Sequence, residues 1–309
     1  MDDKEIVKLI ENLNKDYLDI YFSSEYRLGK KINKLKTSLK KHDFRSIKKY
    51  INSYIVQTKQ KKISSTISPA IFYKEGNKVN GARGVVYTCI TNGYDLPLSP
   101  NYIDENCDYL LFTDSKSSVK NSKWEIKLLD EKSKEFQGMK INRYYKMHPF
   151  ELFNEYDFSI YVDGNVQIIS EISSLYEIAK NSVTGIAMHL HSQRNCIYQE
   201  GKACIIGQRG DPEKIKMQLN KYKEEGFPHN FGLLEATIIV VDLHNDNAKK
   251  IMNKWWNEFN ASDSKRDQLS LPYIIWKEGF SISDVGCLGN NIFFNPKFRI
   301  KGLGNHGKQ

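Results

Sequence analysis

The chain has 309 residues, of which 40% are hydrophobic and 12% aromatic, so it can bury a large core and is not a disordered protein. No apolar run approaches the roughly 18–20 residues that span a bilayer, and the first residues lack the apolar region and cleavage site of a signal peptide. The five cysteines are scattered and never form a CxxC pair, which argues against a disulfide framework or a zinc site. These features predict a cytoplasmic protein with reduced, mostly buried thiols.

The net charge of +9 comes largely from one segment near the N-terminus. Between Arg27 and Lys61 there are twelve Lys or Arg residues against one acid, Asp43. The segment lacks interleaved aromatic residues and any recognised nucleic-acid module, so no nucleic-acid partner is predicted. It is either a solvated helix packed on the main domain or a surface for an anionic membrane or a partner protein. An amphipathic helix with a basic outer face is predicted from the spacing of Leu28, Ile32, Leu35 and Leu39.

The composition divides the chain into three parts. Residues 1–65 are predicted to form a helical basic appendage, 66–83 a connection and 84–309 an α/β domain. Apolar stretches alternate with helix-like stretches in the last part, which predicts a mixed, mostly parallel sheet flanked by helices. The predicted strands are GVVYTCIT, DYLLFTD, WEIKLL, FSIYVD, TGIAMHL and EATIIVVD, and the predicted helices span 142–153, 171–181, 211–225, 245–260 and 266–279.

The stretch FSIYVDGNVQI, residues 158–168, has two interpretations. Asp163-Gly164 between alternating apolar residues is a strong signal for a two-residue hairpin turn. Alternatively, a buried parallel strand ends at Asp163, at the edge where open α/β sheets bind ligands. Asp163 and Asn165 would then offer two hard oxygen ligands for Mg²⁺ or Mn²⁺. The second interpretation is favoured because other strands are also followed by polar residues, namely Asn92, Asp95 and Asp114.

Five ordered blocks make the chain resemble a known glycosyltransferase-like family: VVYTCITNGYD, YLLFTD, NRYYKMHPFELFNEYDFSIYVDGNVQI, HLHSQRNCIYQEG and KRDQLSLPYIIWKEG. The family was long a domain of unknown function, and it includes plant proteins of mucilage and pectin synthesis and bacterial members in surface-polysaccharide clusters. The resemblance covers roughly residues 84–308. It implies a GT-A fold, a nucleotide-sugar donor with UDP favoured by analogy, a glycan or polysaccharide acceptor, and a divalent metal. The implied enzyme is a hexosyl- or uronosyltransferase, and retention of the anomeric configuration is favoured.

The resemblance also implies roles for residues on the donor side. Asp163 and Asn165 would hold Mn²⁺ or Mg²⁺ with His306, although Asn165 departs from the family pattern because an amide replaces a carboxylate. Lys308 would bind the diphosphate, unless this tail is merely a frayed terminus. Arg143 and Lys146, three apart on a helix, would steady the phosphates or the sugar, or be solvated charges. The nucleotide would contact Thr88, Asn92, Tyr94, Asp95 and Asp114, although this loop could be an ordinary turn.

The acceptor side is predicted from the block MHLHSQRNCIYQEG. His189 and His191 are expected to hydrogen-bond sugar hydroxyls together with Tyr198, while Arg194 and Glu200 form a pair. The alternative is a core histidine and a purely structural Arg–Glu pair. Zinc is not predicted, because no Cys or Asp lies at ligand spacing from the two histidines.

Asp267 and Gln268, at the start of an apolar helix, are assigned to binding or catalysis at the reacting sugar. In similar transferases this dipeptide faces that sugar, although Asp267 could be only a first-turn acid. If the enzyme inverts, Asp267 or Glu200 is the candidate base. Two other functions stay open: a degenerate GT-A fold that acts as a scaffold, which Asn165 favours, and a glycoside hydrolase with paired carboxylates. The basic helix would place the protein at the inner face of the membrane.

Overall fold

The computed structural model describes most of the predicted α/β domain and parts of the predicted appendage. The described residues are 20, 24–40, 45, 47, 51, 52, 55, 56, 59, 73–77, 79–95, 97–115 and 122–300. His306 and Lys308, and residues 66–72 and 78 of the predicted connection, lie outside them.

The described residues form strands and helices that alternate along the chain. The strands are β1 (Gly84–Ile90), β2 (Cys107–Thr113), β3 (Glu125–Leu128), β4 (Phe158–Val162), β5 (Val166–Ile168), β6 (Ile186–Leu190), β7 (Leu234–Asp242), β8 (Gly286–Cys287) and β9 (Phe298–Ile300). The α-helices are α1 (Ser24–Lys40), α2 (Met139–Met147), α3 (Pro149–Leu152), α4 (Leu175–Lys180), α5 (Ile197–Ile206), α6 (Pro212–Glu224), α7 (Asp246–Ser262) and α8 (Asp267–Lys277).

Seven strands form one mixed sheet in the order β3-β2-β1-β4-β7-β6-β8. Strands β1 to β4 are parallel to one another, and β7 runs antiparallel to β4 and β6. The predicted mixed, mostly parallel sheet flanked by helices is therefore confirmed. Because β1, β2 and β4 are parallel, their carboxyl ends meet at one edge, which is where such sheets bind ligands.

Strand β4 is an inner strand, between β1 and β7. All five of its residues are buried, as expected for a strand covered on both faces. The next strand, β5, pairs with β9 in a separate two-stranded antiparallel sheet. Asp163-Gly164 is therefore not the tip of a hairpin between β4 and β5. Strands β5, β8 and β9 were not predicted, because two or three residues are too few for a visible hydrophobic period.

The core lies on both faces of the sheet. On one face, α2, α5, α6, α7 and α8 cover the strands around the fully buried Trp255. On the other face, α4 packs against β4, where the rings of Phe158 and Tyr176 stack at 4.5 Å. Trp255 also fixes the start of α8, because its indole N–H donates to the carbonyl of Asp267 at 2.8 Å. The helices thus hold the carboxyl edge of the sheet in a fixed shape.

Helix α5 was not predicted from the sequence. Gly201 in its middle lowers helix propensity by about 1 kcal/mol relative to Ala. The structure explains the glycine, since a Cβ atom there would lie 2.4 Å from Cδ1 of Leu219 on α6. Close packing of α5 on α6 therefore favours glycine at position 201, although glycine lowers helix propensity.

Helix α1 confirms that the segment with the predicted helical spacing is a helix. Its Ile32 is 42% exposed, and Lys30 and Lys36 are also exposed. Within the described ranges no helix is long and apolar enough to cross a membrane. All five cysteines are unpaired thiols, four of them buried and Cys287 partly buried, as predicted.

Candidate functional site at the carboxyl edge of the sheet

Asp163 lies directly after β4 at the carboxyl edge of the sheet. Its backbone N–H donates to the carbonyl of Thr237 on β7 at 3.0 Å, and its carbonyl accepts from the N–H of Val166 at 2.9 Å. The second bond closes a turn over residues 163–166. The Tyr161 hydroxyl donates to Oδ1 of Asp163 at 2.9 Å. The carboxylate is therefore oriented by β4 itself, and its side chain stays 35% exposed.

Gly164 brings two predicted parts of the donor site together. A Cβ atom at this position would lie 2.6 Å from Cδ1 of Ile90 and 3.5 Å from Cβ of Asp95. The loop after β1 therefore packs against the Asp163-Gly164-Asn165 turn. Contact with Ile90 therefore disfavours any larger residue at position 164.

The loop after β1 is held in place by the end of β2. Asn92 has φ 55°, in the left-handed region, and its N–H donates to Oδ2 of Asp114 at 2.7 Å. Tyr94 is 62% exposed beside it. Thr88 differs from these residues because it is 1% exposed within β1. The loop is accessible to a nucleotide, but Thr88 has no surface to offer one.

The region at the carboxyl edge of the sheet around Asp163, Asp267, Glu200 and Glu235 is here called the cleft. Lys146 is buried in it and contacts two of these carboxylates. The side chain is 2% exposed, and its ammonium lies 2.9 Å from the carbonyl of Ala236, 3.2 Å from Oδ2 of Asp267 and 3.5 Å from Oδ1 of Asp163. The contacts with Ala236 and Asp267 are hydrogen bonds, and the contact with Asp163 is an ion pair. Lys146 therefore fixes Asp163 relative to Asp267, whereas the sequence predicted that it would contact the donor.

Asp267 begins α8 and is held as an anion. Nε of Arg143 lies 2.9 Å from its Oδ2, the same oxygen that Lys146 contacts. Burial alone would raise the pKa of this carboxyl, but the charges of Arg143, Lys146 and Arg266 outweigh it and hold the pKa well below its usual value. Arg143 thus joins Lys146 on Asp267, although it keeps 17% of its side chain exposed toward solvent. The neighbouring Gln268 donates from its amide to the carbonyl of Leu234 at 2.8 Å.

Glu200 is the centre of a second charged group, on α5. The predicted pair is present, because Nε of Arg194 donates to its Oε2 at 2.5 Å. The guanidinium groups of Arg209 and Arg266 lie 3.5 and 4.0 Å from its Oε1. Burial acts to raise the pKa of Glu200, yet the surrounding charges and hydrogen bonds leave it below its usual value. Glu200 is therefore ionised at neutral pH and holds the surrounding arginines.

The two histidines of the acceptor block occupy different environments. His189 has no exposed surface, its Nε2 accepts from the side-chain amide of Asn295 at 3.1 Å, and burial lowers its pKa to about 3. It belongs to the core in this structure, which is the alternative considered for it. His191 instead lines a cavity of about 240 Å³ beyond the end of β6. Tyr198 is anchored by its hydroxyl, which donates to the carbonyl of Phe227 at 2.8 Å.

Glu235 is a cleft residue that the sequence reasoning missed. It is the second residue of β7, and its Oε2 lies 4.0 Å from Nε2 of His191. The signal was a single acid at the start of an otherwise apolar strand, EATIIVVD. We treated that segment only as a strand, because one acid can equally lie on a solvated strand end.

The chain belongs to the TOD1/MUCI70 glycosyltransferase-like domain family, whose model matches residues 35–293. The matched range begins inside α1. A comparison with curated protein sequences finds no significant match. The predicted family and the glycosyltransferase class are therefore confirmed.

Solved structures with some likeness to the chain are themselves glycosyltransferases. They include the bifunctional glycosyltransferase WbbM, with 14% identity and a TM-score of 0.40. The match covers 67% of this chain but only 40% of WbbM. Mouse xyloside xylosyltransferase 1 has 8% identity and a TM-score of 0.37, with 64% of this chain and 82% of that one covered. The S. cerevisiae mannosyltransferase Ktr4p has 12% identity and a TM-score of 0.34, with 71% of this chain and 74% of Ktr4p covered.

Proposed function

We propose that the chain transfers a sugar from a nucleoside diphosphate sugar, a UDP-sugar by analogy, to a glycan or polysaccharide acceptor. The observation that supports this most strongly is the contact of the end of β1 and its following loop with the Asp163-Gly164-Asn165 turn, made through Ile90 and Asp95. A nucleotide on the first loop would extend its diphosphate toward Asp163. The resemblance favours retention of the anomeric configuration, an expectation that the configuration of the product tests.

A divalent cation, Mn²⁺ or Mg²⁺, would be held by Asp163 and Asn165, with His306 as a third ligand. Within the described ranges no three His, Cys, Asp or Glu side chains converge on a metal position. One carboxylate and one amide nevertheless fit Mg²⁺, which commonly binds one or two carboxylates together with substrate phosphates. When bound, the cation would stabilise the charge of the leaving diphosphate. Lys308 would add a positive charge there.

The acceptor would bind in the cavity beside His191. Its volume of about 240 Å³ lies just below the roughly 300–1,000 Å³ of typical small-molecule sites, which suits one sugar residue. Amides and a guanidinium can pair with sugar hydroxyls, while an aromatic ring can cover an apolar sugar face. These groups are supplied by Gln193, Arg194, Asn230, Phe231 and Asn290.

A thermal-shift screen of UDP and nucleotide sugars, with Mn²⁺ or with EDTA, tests donor binding. A ligand at 100 times its Kd stabilises the native state by about 2.7 kcal/mol, so a clear rise in Tm is expected with UDP and Mn²⁺. Asp163→Ala should abolish the metal-dependent part of that rise. Asp157→Ala is a matched control, because its side chain is 37% exposed and lies at the opposite end of β4.

The outcomes of this screen separate the competing functions. A glycoside hydrolase has no use for the nucleotide, so the absence of any shift with UDP would contradict a transferase. A shift without release of UDP from any nucleotide sugar would favour the degenerate scaffold instead.

We further propose that the basic segment containing α1 contacts an anionic membrane surface, at the cytoplasmic face. Each Lys or Arg near such a surface contributes about 1 kcal/mol. The double variant Lys30→Glu/Lys36→Glu should therefore bind phosphatidylserine vesicles roughly 30-fold more weakly in flotation, from about 2 kcal/mol of lost attraction. Equal binding by the variant and the parent protein would refute this contact.

A further inference from the structure

Four carboxylates surround the cleft, and one of them differs in its partners. Asp163 has Lys146 at 3.5 Å, Asp267 has Arg143 at 2.9 Å, and Glu200 has Arg194 at 2.5 Å. Among the residues that the structure describes, none offers Glu235 a Lys or Arg nitrogen within 4.0 Å, and the side chain that faces it at 4.0 Å is His191. Within the described residues, three of the four acids thus have a Lys or Arg nitrogen within 4.0 Å, and Glu235 does not.

The backbone of β7 places Glu235 next to the donor side of the cleft. The carbonyl of Ala236 accepts from Lys146, and the carbonyl of Thr237 accepts from the N–H of Asp163. Glu235 precedes these two residues, and its side chain is 31% exposed in a largely buried neighbourhood. No hydrogen bond ties its carboxylate to the rest of the described chain. The side chain is therefore partly accessible to a ligand.

His191 links Glu235 to the acceptor cavity. Its Nδ1 accepts from the backbone N–H groups of Gln193 and Arg194 at 3.2 and 3.1 Å. Burial lowers the pKa of this imidazole to about 4, so it is neutral at pH 7 and carries its proton on Nε2. That N–H faces Oε2 of Glu235 at 4.0 Å and Oε2 of Glu200 at 3.7 Å. His191 therefore lines the cavity with one edge and faces Glu235 with its donor atom.

The electrostatic environment separates Glu235 from the other acids. Burial, followed by the negative charges of Glu200 and Asp163, raises the pKa of Glu235 to about 7, against the opposing charges of Arg266 and Arg194. When the surroundings of neighbouring carboxylates move their pKa values apart, the carboxylates typically have different roles. One stays ionised, and the one with the raised pKa transfers a proton. A base works best when its pKa lies near the working pH.

We propose that Glu235 is the general base of the transfer and accepts the proton of the acceptor hydroxyl. As the acceptor oxygen bonds to the anomeric carbon, its proton moves to a carboxylate oxygen of Glu235. The bond from that carbon to the diphosphate oxygen breaks, and its electron pair leaves with the diphosphate. This inference rests on the proposed function, replaces Asp267 and Glu200 as the candidate bases, and predicts inversion, which the sequence resemblance did not favour.

Glu235→Gln tests the assignment because the amide keeps the shape and cannot accept the proton. UDP should raise the Tm of the variant and the parent protein equally in the presence of Mn²⁺. Release of UDP should fall at least 100-fold with water or methanol as acceptor, within the roughly 10²–10⁴ that a general base contributes. The donor is whichever UDP-sugar gives the largest thermal shift.

The pH profile and the product give two further readouts. In the parent protein kcat/KM should rise with pH through an inflection near 7, because the base must be deprotonated, and the variant should lack that inflection. With methanol as acceptor, NMR should show a methyl glycoside of inverted configuration. Glu225→Gln is the matched control, since its side chain is 29% exposed and its partners are Tyr273 and Lys277 on α8.

Several results would overturn the assignment. For the variant Glu235→Gln, these are a rate of UDP release within threefold of the parent, or loss of the Tm shift that UDP induces. For the parent protein, they are a methyl glycoside with retained anomeric configuration, or binding of the donor without any release of UDP. Failure of the parent protein to bind UDP at all would instead refute the proposed function.

Discussion

Replacing Lys146 by Met tests whether the ammonium beneath the cleft fixes its two carboxylates. The methionine keeps most of the apolar stem but removes the charge that contacts Asp163, Asp267 and the carbonyl of Ala236. Breaking a buried ion pair on one side typically costs about 3–5 kcal/mol. We expect the lower end, about 3 kcal/mol, because Asp267 keeps Arg143 at 2.9 Å and Asp163 is 35% exposed.

Thermal unfolding followed by circular dichroism measures this loss. At roughly 2–4 °C per kcal/mol, the Tm should fall by about 6–12 °C. Lys277→Met is the control, because Lys277 is 49% exposed and its pair with Glu225 lies at the surface, where such pairs contribute about 0–1 kcal/mol. A Tm loss for Lys146→Met no larger than that of the control would refute the role given to Lys146.

The pH dependence of this difference is a second check. The pKa of Asp267 is lower in the folded protein than the 3.8 of an unperturbed Asp, so its ionised form adds stability above about pH 4. That stability is lost as the pH falls through the folded value. The gap between the parent and Lys146→Met should therefore be largest near pH 6–7 and shrink below pH 4. A gap that widens on acidification would contradict the assignment.

Two further substitutions test other parts of the structure. Asn165→Asp should keep activity and tighten Mn²⁺ binding in a calorimetric titration, because a second anionic oxygen suits a hard cation better than an amide does; weaker Mn²⁺ binding would remove Asn165 from the site. Gly201→Ala places a Cβ 2.4 Å from Cδ1 of Leu219 and should cost about 1–3 kcal/mol by urea unfolding. The companion change Leu219→Ala should make that substitution cheaper, and purely additive costs would show that the contact is not responsible.

The sequence predicted the sheet well because parallel strands buried on both faces are continuous apolar runs. It also predicted the polar residues that follow β1, β2 and β4, since the end of such a run is visible. Thr88 shows the limit of this reasoning, because a threonine inside a buried strand cannot be told by pattern from one at its end. His189 and His191 are two residues apart, yet one is in the core and the other lines a cavity.

The missed elements of the site depend on contacts between distant segments. The partners of Lys146 come from the end of β4, from β7 and from α8, which the sequence places between 17 and 121 residues away. Glu235 stands out only once the cations beside the other three acids are known. The helical glycine at Gly201 likewise makes sense only against Leu219. Pattern and propensity describe local structure, and none of these contacts is local.

The most direct test of the central claim is calorimetric titration of UDP into the full chain with Mn²⁺. We predict saturable binding by the parent protein and by Asp157→Ala. Asp163→Ala should bind at least tenfold more weakly, since each 1.4 kcal/mol of lost interaction is a factor of ten and a cation contributes several kcal/mol. Equal affinity for UDP in Asp163→Ala and the parent protein would contradict a nucleotide-sugar site at the end of β4.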